Sequence, residues 1–314
     1  MKRLFQAVLT SALALAGASA VAADMEIAVI VKTANSDFWQ NVRKGATQSA
    51  SELKGYTSSF QGAASDTDLA GQVALVENAV NRKVAAIVLA PSDPEALIPA
   101  IKKAWEAHIP VILIDSAAAD SGKAYYQSFL ATDNNKAGEL CAQALIDKVG
   151  TTGKIAIMSY TAGSGSELGR VGGFRKYIEA HSKLQIVGPF YSNSQMGTAL
   201  NQTTDVLAAN PDLKGIFGAN EPTAIGMGRA LVQSGKAGKV VAIGFDGNAD
   251  LQGFVKDGTI NAIAVQSAYQ MGALGVKTAV DVLNKKAVPK FLDTGVVMVT
   301  KTNIDTPEAK NVLY

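Results

Sequence analysis

The sequence predicts an α/β fold of open, doubly wound, mostly parallel sheets. Short unbroken apolar runs recur along the chain, segments with helical spacing separate them, and the alternation starts afresh near Lys154. A run that is apolar at every position marks a strand covered on both faces, and parallel strands need crossover helices between them.

The first run, Ile27–Val31, reads as a buried strand and leads into an amphipathic segment from Phe38 to Leu53. Val84–Ala90 reads as the next strand. It is followed by Glu95–Ala107, where Ala96, Leu97, Ile98, Ala100, Ile101, Ala104 and Trp105 keep helical spacing. Val111–Ile114 and Ala137–Val149 continue the pattern. The second block opens with Ile155–Met158 and runs on through Gly172–Ala180, Ile186–Val187, Leu200–Ala209, Ile216–Ala219, Thr223–Ser234, Val240–Ile243 and Ala249–Lys256. Between the blocks, "SFLATDNNKAGEL" reads as a crossover, and Phe291–Thr300 reads as one closing strand. No low-complexity linker parts the blocks, so several crossings between them are expected.

With 314 residues, 48% of them hydrophobic and 18% charged, the chain is long enough for two globular domains. Its 29 basic and 27 acidic residues are interspersed and leave a net charge of +2, without the basic stripe that nucleic acid requires. The first residues differ in kind. Lys2 and Arg3 precede an apolar run from Leu4 to Ala16, and then come the small residues of "GASAVAAD". That is the pattern of a signal peptide over residues 1–23, cleaved after Ala22 or Ala23. The run falls short of the ~20 apolar residues that span a bilayer. Cys141 is the one cysteine, so an intramolecular disulfide is excluded, and no cysteine stands at the cleavage site to carry a lipid. A freely soluble periplasmic protein is expected.

Ligands of open α/β sheets bind beyond the carboxyl ends of the strands, so the residues after each apolar run are the candidates. Lys32, Asn35, Ser36, Phe38 and Trp39 follow the first run. Asp115 and Ser116 follow Ile114, Arg170 closes "SYTAGSGSELGR", Asn220 follows Ala219, Asp246 lies in "GFDG" and Gln266 follows Val265. Amides, carboxylates and a guanidinium beside two aromatic rings suit a ligand with many hydroxyls around an apolar ring face. Plainer roles compete at each position: Phe38 and Trp39 as helix core, Asp115 and Asp246 as helix N-caps, Arg170 as a surface charge.

The motifs "IAVIVKTANSDFW", "PVILIDS", "ELGRVGGF", "FGANE", "VVAIGFDG" and "AIAVQ" resemble, in order, the ribose/allose branch of the type I periplasmic sugar-binding proteins that feed ABC importers. The resemblance implies two similar doubly wound lobes joined by three crossovers, with the sugar in the cleft. The first lobe would be residues 24–132 plus 267–295, and the second 133–266 plus 296–314. Phe38 and Trp39 match the family's sugar-stacking pair, and Lys32 matches a lysine of the allose-type members. Asn35 and Ser36 match the adjacent polar pair. Asp115, Arg170, Asn220, Asp246 and Gln266 match hydroxyl-binding positions. Where the family commonly has Asp-Arg, this chain has Asp115-Ser116, so a donor fork is lost and space is gained. Near "FYSNSQ" an aromatic of the ribose binders is replaced by Asn193 or Ser194, and Asn193 is taken as the site residue. A pentose or hexose other than ribose, or a sugar alcohol, is as consistent with these departures.

The expected function is capture of a monosaccharide or polyol for membrane permease subunits, by a monomer without cofactor or metal. Sensing for a chemoreceptor, or binding of a non-ribose furanose of the autoinducer type, is the alternative. Catalysis has little support, because His108 and His181 adjoin no nucleophile motif and no clustered Cys/His appears. "TAGSGSELG" lacks the GK[ST] ending of a phosphate loop. A repressor of this fold would carry a helix-turn-helix where the signal peptide stands.

Overall fold

The computed structural model describes residues 24–314, and the expected signal peptide lies outside them. In chain order the elements are β1 (Met25–Thr33), α1 (Asp37–Glu52), β2 (Tyr56–Ala63), α2 (Leu69–Asn81), β3 (Ala86–Leu89), α3 (Ile98–Glu106), β4 (Val111–Ile114) and β5 (Ser128–Ala131). Then come α4 (Asn134–Val149), β6 (Thr152–Ser159), α5 (Gly165–His181), β7 (Lys183–Tyr191), α6 (Met196–Ala209), β8 (Leu213–Gly218), α7 (Glu221–Gln233), β9 (Val241–Phe245), α8 (Ala249–Asp257) and β10 (Ala262–Gln266). The chain finishes with α9 (Ala268–Leu283), β11 (Phe291–Asp293), β12 (Val296–Thr300) and α10 (Pro307–Lys310).

Two six-stranded sheets result, ordered β2-β1-β3-β4-β5-β11 and β7-β6-β8-β9-β10-β12. All pairings are parallel except β12 on β10. The same winding appears twice, and in each sheet the order reverses beside its first strand, which opens a crevice at the strand tips.

The unbroken apolar runs follow from burial on both faces. Along β1, Ile27, Val29 and Val31 join a core with α1 and α9, whereas Ala28 and Ile30 join another with α2 and α3. Along β6, Ala156 and Met158 face one core of the second lobe while Ile155 and Ile157 face the other. Strand alternation thus sends successive apolar residues into different layers.

The stretch Phe291–Thr300 corrects the sequence reading. It is two strands in two sheets: β11 pairs with β5, and β12 pairs with β10. Gly295 between them has φ +82°, a left-handed turn that glycine takes without a Cβ penalty. The chain passes between the lobes at Thr132-Asp133, Ser267 and Thr294-Gly295. The first and third passages are bonded to each other: Thr132 Oγ1 donates to Gly295 O at 3.1 Å, and Thr294 N donates to Ala131 O at 3.0 Å. Among the described residues no helix is long and apolar enough to cross a membrane.

Candidate functional site

The strand tips of both sheets surround one cavity of about 400 Å³, within the range of small-molecule sites. From the first lobe it is lined by Lys32, Asn35, Ser36, Phe38, Trp39, Asp66 and Asp115. Arg170, Ser194, Asn220, Asp246 and Gln266 are among those that line it from the second. Ten of the twelve predicted site residues are there.

Ser36 caps α1, its Oγ accepting the Trp39 N–H at 3.4 Å. That cap fixes the first turn, which carries both aromatics. Phe38 and Trp39 meet edge to face with centroids 4.8 Å apart, and they are 6% and 4% exposed. They belong to the first lobe's core and also line the cavity, so packing and exposure to the cavity coincide in one pair.

Lys32 is buried and spends its ammonium within the protein. Nζ lies 2.8 Å from Asp115 Oδ2, donates to Ser116 Oγ at 2.8 Å, and reaches Ser166 Oγ of the second lobe at 3.3 Å. Ser116 Oγ in turn donates to Asp115 Oδ2 at 2.8 Å. Lys32 therefore supplies the positive charge beside Asp115 and Ser116. Ser116 is a correction to the sequence reading. It is fully buried behind the Lys32–Asp115 pair and outside the cavity lining, its hydroxyl used to orient that pair.

Arg170 of α5 is 2% exposed. Nε and one terminal nitrogen donate to Asn134 Oδ1 at 3.1 and 2.8 Å, and the other terminal nitrogen donates to Ala219 O at 2.7 Å. The guanidinium carbon lies 3.5 Å from the Phe245 ring centroid and 5.5 Å from that of Tyr160, two cation–π contacts that add to the hydrogen bonds holding the fork. Each terminal nitrogen keeps one N–H beyond these bonds.

Asp115 and Asp246 occupy equivalent places, after the fourth strand of each sheet in winding order. Both have left-handed backbones, with φ of +62° and +74°. Such conformations are costly for a residue with a Cβ and collect at functional sites. Asp246 Oδ2 accepts the Glu221 N–H at 3.0 Å, and Oδ1 accepts from Gln266 Nε2 at 2.9 Å. Burial pushes the Asp246 carboxyl up to about 6 against the opposing pull of Arg170. Gln266 Oε1 has no protein partner.

Asn220 caps α7, its Oδ1 accepting the Thr223 N–H at 3.2 Å, and Nδ2 donates to Ser194 Oγ at 3.0 Å. Asn193 is the second correction: it is exposed and outside the cavity lining. Asn193 and Ser194 have φ of +52° and +57°, and after this left-handed turn it is Ser194 that lines the cavity.

Sequence reasoning missed Asp66, whose Oδ2 accepts from Ser194 Oγ of the opposite lobe at 2.6 Å. Its Oδ1 has no protein partner, and burial raises the carboxyl above its ordinary range. It also missed Tyr160 and Ser166, which are hydrogen-bonded at 2.9 Å; Glu221, next to Asn220 beyond the tip of β8, lines the cavity as well. Asp66 follows β2, so recognising "YTSSFQGA" as a strand would have pointed to it. An apolar corner of Met196, Pro222 and Ile225 completes the second-lobe wall. Among the described residues no group of three His, Cys, Asp or Glu side chains is arranged to hold a metal ion.

Comparison with known proteins adds three findings. The family described as "Periplasmic binding protein domain" matches residues 27–287. The ribose import binding protein of Escherichia coli K12 is 32% identical over 304 residues, covering 96% of this chain and 99% of its own. The D-allose-binding periplasmic protein of the same organism is 30% identical over 287 residues, covering 88% and 92%. Among solved structures, an ABC transporter solute-binding protein from Agrobacterium vitis with bound D-fucose is 70% identical with a TM-score of 0.91, covering 92% of this chain and 100% of that one. A carbohydrate-transporter solute-binding protein from Agrobacterium radiobacter with D-arabinose is 35% identical with a TM-score of 0.89, covering 93% and 100%.

Proposed function

The chain belongs to the periplasmic binding protein family, and on that footing we propose that it captures a neutral monosaccharide between its lobes and delivers it to an ABC importer. The observation that carries the reading is the meeting, in one cavity, of the Phe38–Trp39 edge with the Arg170 fork and the Asp115 and Asp246 carboxyls. The aromatics supply an apolar platform for a pyranose face, and the charged groups supply donors and acceptors for its hydroxyls. Hydrogen bonds to charged groups contribute about 1.5–3 kcal/mol each, so three or four of them, less the ordering costs, reach micromolar affinity.

The bound D-fucose of the 70% identical relative makes a 6-deoxy aldohexose the first ligand to try. D-Arabinose and D-allose, held by more distant relatives, follow. Membrane permease subunits are the partners, the periplasm is the compartment, and the working form is a monomer. Family membership and the charged-then-apolar N-terminal pattern support the compartment.

A thermal-shift and calorimetry panel of D-fucose, D-galactose, D-arabinose, D-ribose, D-allose and galactitol on the mature protein tests the proposal. A cognate sugar at a hundred times its Kd should add about 2.7 kcal/mol, raising Tm by on the order of 5–10 °C. A panel without a single shift overturns it.

A further inference from the structure

We propose that Glu221 is the positioning residue that fastens the first lobe's aromatic helix to the second lobe, so that its carboxyl couples closure of the lobes to proton uptake. The proposal rests on the sugar-binding reading above for its effect on affinity, though not for its effect on shape.

Glu221 stands at the start of α7 and is buried. Its Oε1 accepts the backbone N–H of Phe38 across the cleft at 3.3 Å. That N–H belongs to the first turn of α1, whose amides have no partner inside the helix, so an acceptor from the other lobe satisfies one of them. Through its own N–H, Glu221 also holds Asp246 Oδ2. One residue therefore grips the aromatic platform with its side chain and a second-lobe carboxylate with its backbone.

Tyr314 completes the fastening. Its hydroxyl donates to Glu221 Oε2 at 2.9 Å. Its side chain packs against the first lobe's core, whereas its backbone is tied to the second lobe, N donating to Gly247 O at 3.2 Å and O accepting from Gln252 Nε2 at 3.1 Å. The seam is tied again nearby, where Asn248 Nδ2 donates to Asp37 Oδ2 at 3.0 Å.

The titratable neighbours of Glu221 are Asp37 of α1, Asp246 after β9, and Tyr314; Arg170 acts on Asp246 from α5. Burial, then Asp246, push the Glu221 carboxyl up to about 8, against the bonds from Tyr314 and Phe38, with Asp37 adding a little. Parting the lobes removes Phe38 and Asp37 from it and admits water, returning it toward the ordinary range of roughly 4.3. The closed form therefore holds a proton that the open form releases, and closure weakens as pH rises between those limits, by up to about tenfold per pH unit. Asp246 titrates lower, at about 6, and Asp66, raised by burial and bonded across the cleft to Ser194, acts in the same direction. The share of the pH dependence that belongs to Glu221 is therefore the share that Glu221→Gln removes.

Glu221→Gln imitates the neutral acid, with an oxygen for Phe38 N–H and an NH2 for the Tyr314 hydroxyl. Glu221→Ala removes both bonds. Calorimetric titration with D-fucose should show the wild-type affinity falling several-fold from pH 6 to pH 8, Glu221→Gln falling distinctly less over that interval, and Glu221→Ala weaker at every pH by about tenfold or more. Small-angle scattering without sugar gives an independent reading. The radius of gyration should rise with pH in wild type, stay low in Glu221→Gln, and be high throughout in Glu221→Ala. If wild type binds no sugar in the panel, the functional reading fails and scattering alone judges the fastening. Wild-type behaviour of Glu221→Ala in shape and affinity, or the same pH slope in Glu221→Gln as in wild type, overturns the proposal.

Discussion

The side chains that line the cavity are held mostly by one another, so single substitutions act twice. Asp115 offsets the ammonium of Lys32 at 2.8 Å in a site that water barely reaches. Asp115→Ala strands a buried charge and should destabilise the fold by about 3 kcal/mol while also removing a hydroxyl acceptor. A melt of the unliganded variant separates the two losses: an unchanged Tm would show that Lys32 finds another partner. Arg170→Lys should weaken sugar binding by about 2 kcal/mol, roughly thirtyfold, because a lysine reproduces neither the paired bonds to Asn134 nor the flat contact with Phe245. Calorimetry with the cognate sugar checks it, and an affinity within threefold of wild type would remove the fork from the site. Lys32, Phe38 and Arg170 were legible because each follows an apolar strand or belongs to a motif. Asp66 was hidden behind a strand written in polar letters, and the choice between Asn193 and Ser194 behind a left-handed turn that no neighbouring glycine announces.

The elements that could be read were those covered on both faces. β1, β3, β4, β6, β8 and β9 write their burial as unbroken apolar runs. β2, an edge strand of "YTSSFQGA" and mostly half-buried, writes none, because one side of its ladder faces solvent. The splitting of Phe291–Thr300 between sheets was illegible for another reason: both halves are β-forming, and tertiary pairing decides their partners. Helix packing adds a constraint that periodicity does not express. A Cβ at Gly138 of α4 would collide with the carbonyl oxygen of Arg170, and one at Gly45 of α1 with that of Tyr269 in α9. Each lobe thus brings two helix backbones into near contact, and in the second lobe the contact is made at Arg170, which lines the cavity. Gly138→Ala should push α5 away from α4, cost about 1–3 kcal/mol of stability, and lower sugar affinity by moving the guanidinium. Gly172→Ala, on α5 with open space around it, is the control and should match wild type in the titration and equal or slightly exceed it in Tm, because alanine is the better helix former. If Gly138→Ala also behaves as wild type, the close approach does not fix Arg170.

Over the whole molecule the cleft concentrates acid. Burial holds Asp246 at about 6 and raises Asp66 above its ordinary value, so the folded protein keeps protons that the unfolded chain gives up near pH 4. The stability these groups contribute is complete below that unfolded value and is lost as pH rises above it, for Asp246 through about 6. Melts at fixed ionic strength should therefore give a higher Tm at pH 5 than at pH 8, by a few degrees, in the absence of sugar. A Tm that climbs from pH 5 to pH 8 would contradict the protonation of these carboxyls. The passages between the lobes carry a kinetic consequence. They are very short stretches, and two of them are bonded side by side at Thr132 and Gly295. Because these two stretches are bonded to each other, neither can shift without the other or without breaking the bonds at Thr132 and Thr294. Substitutions at Thr132 or Gly295 should therefore alter how long a sugar dwells although neither residue lines the cavity, and stopped-flow release rates would show it.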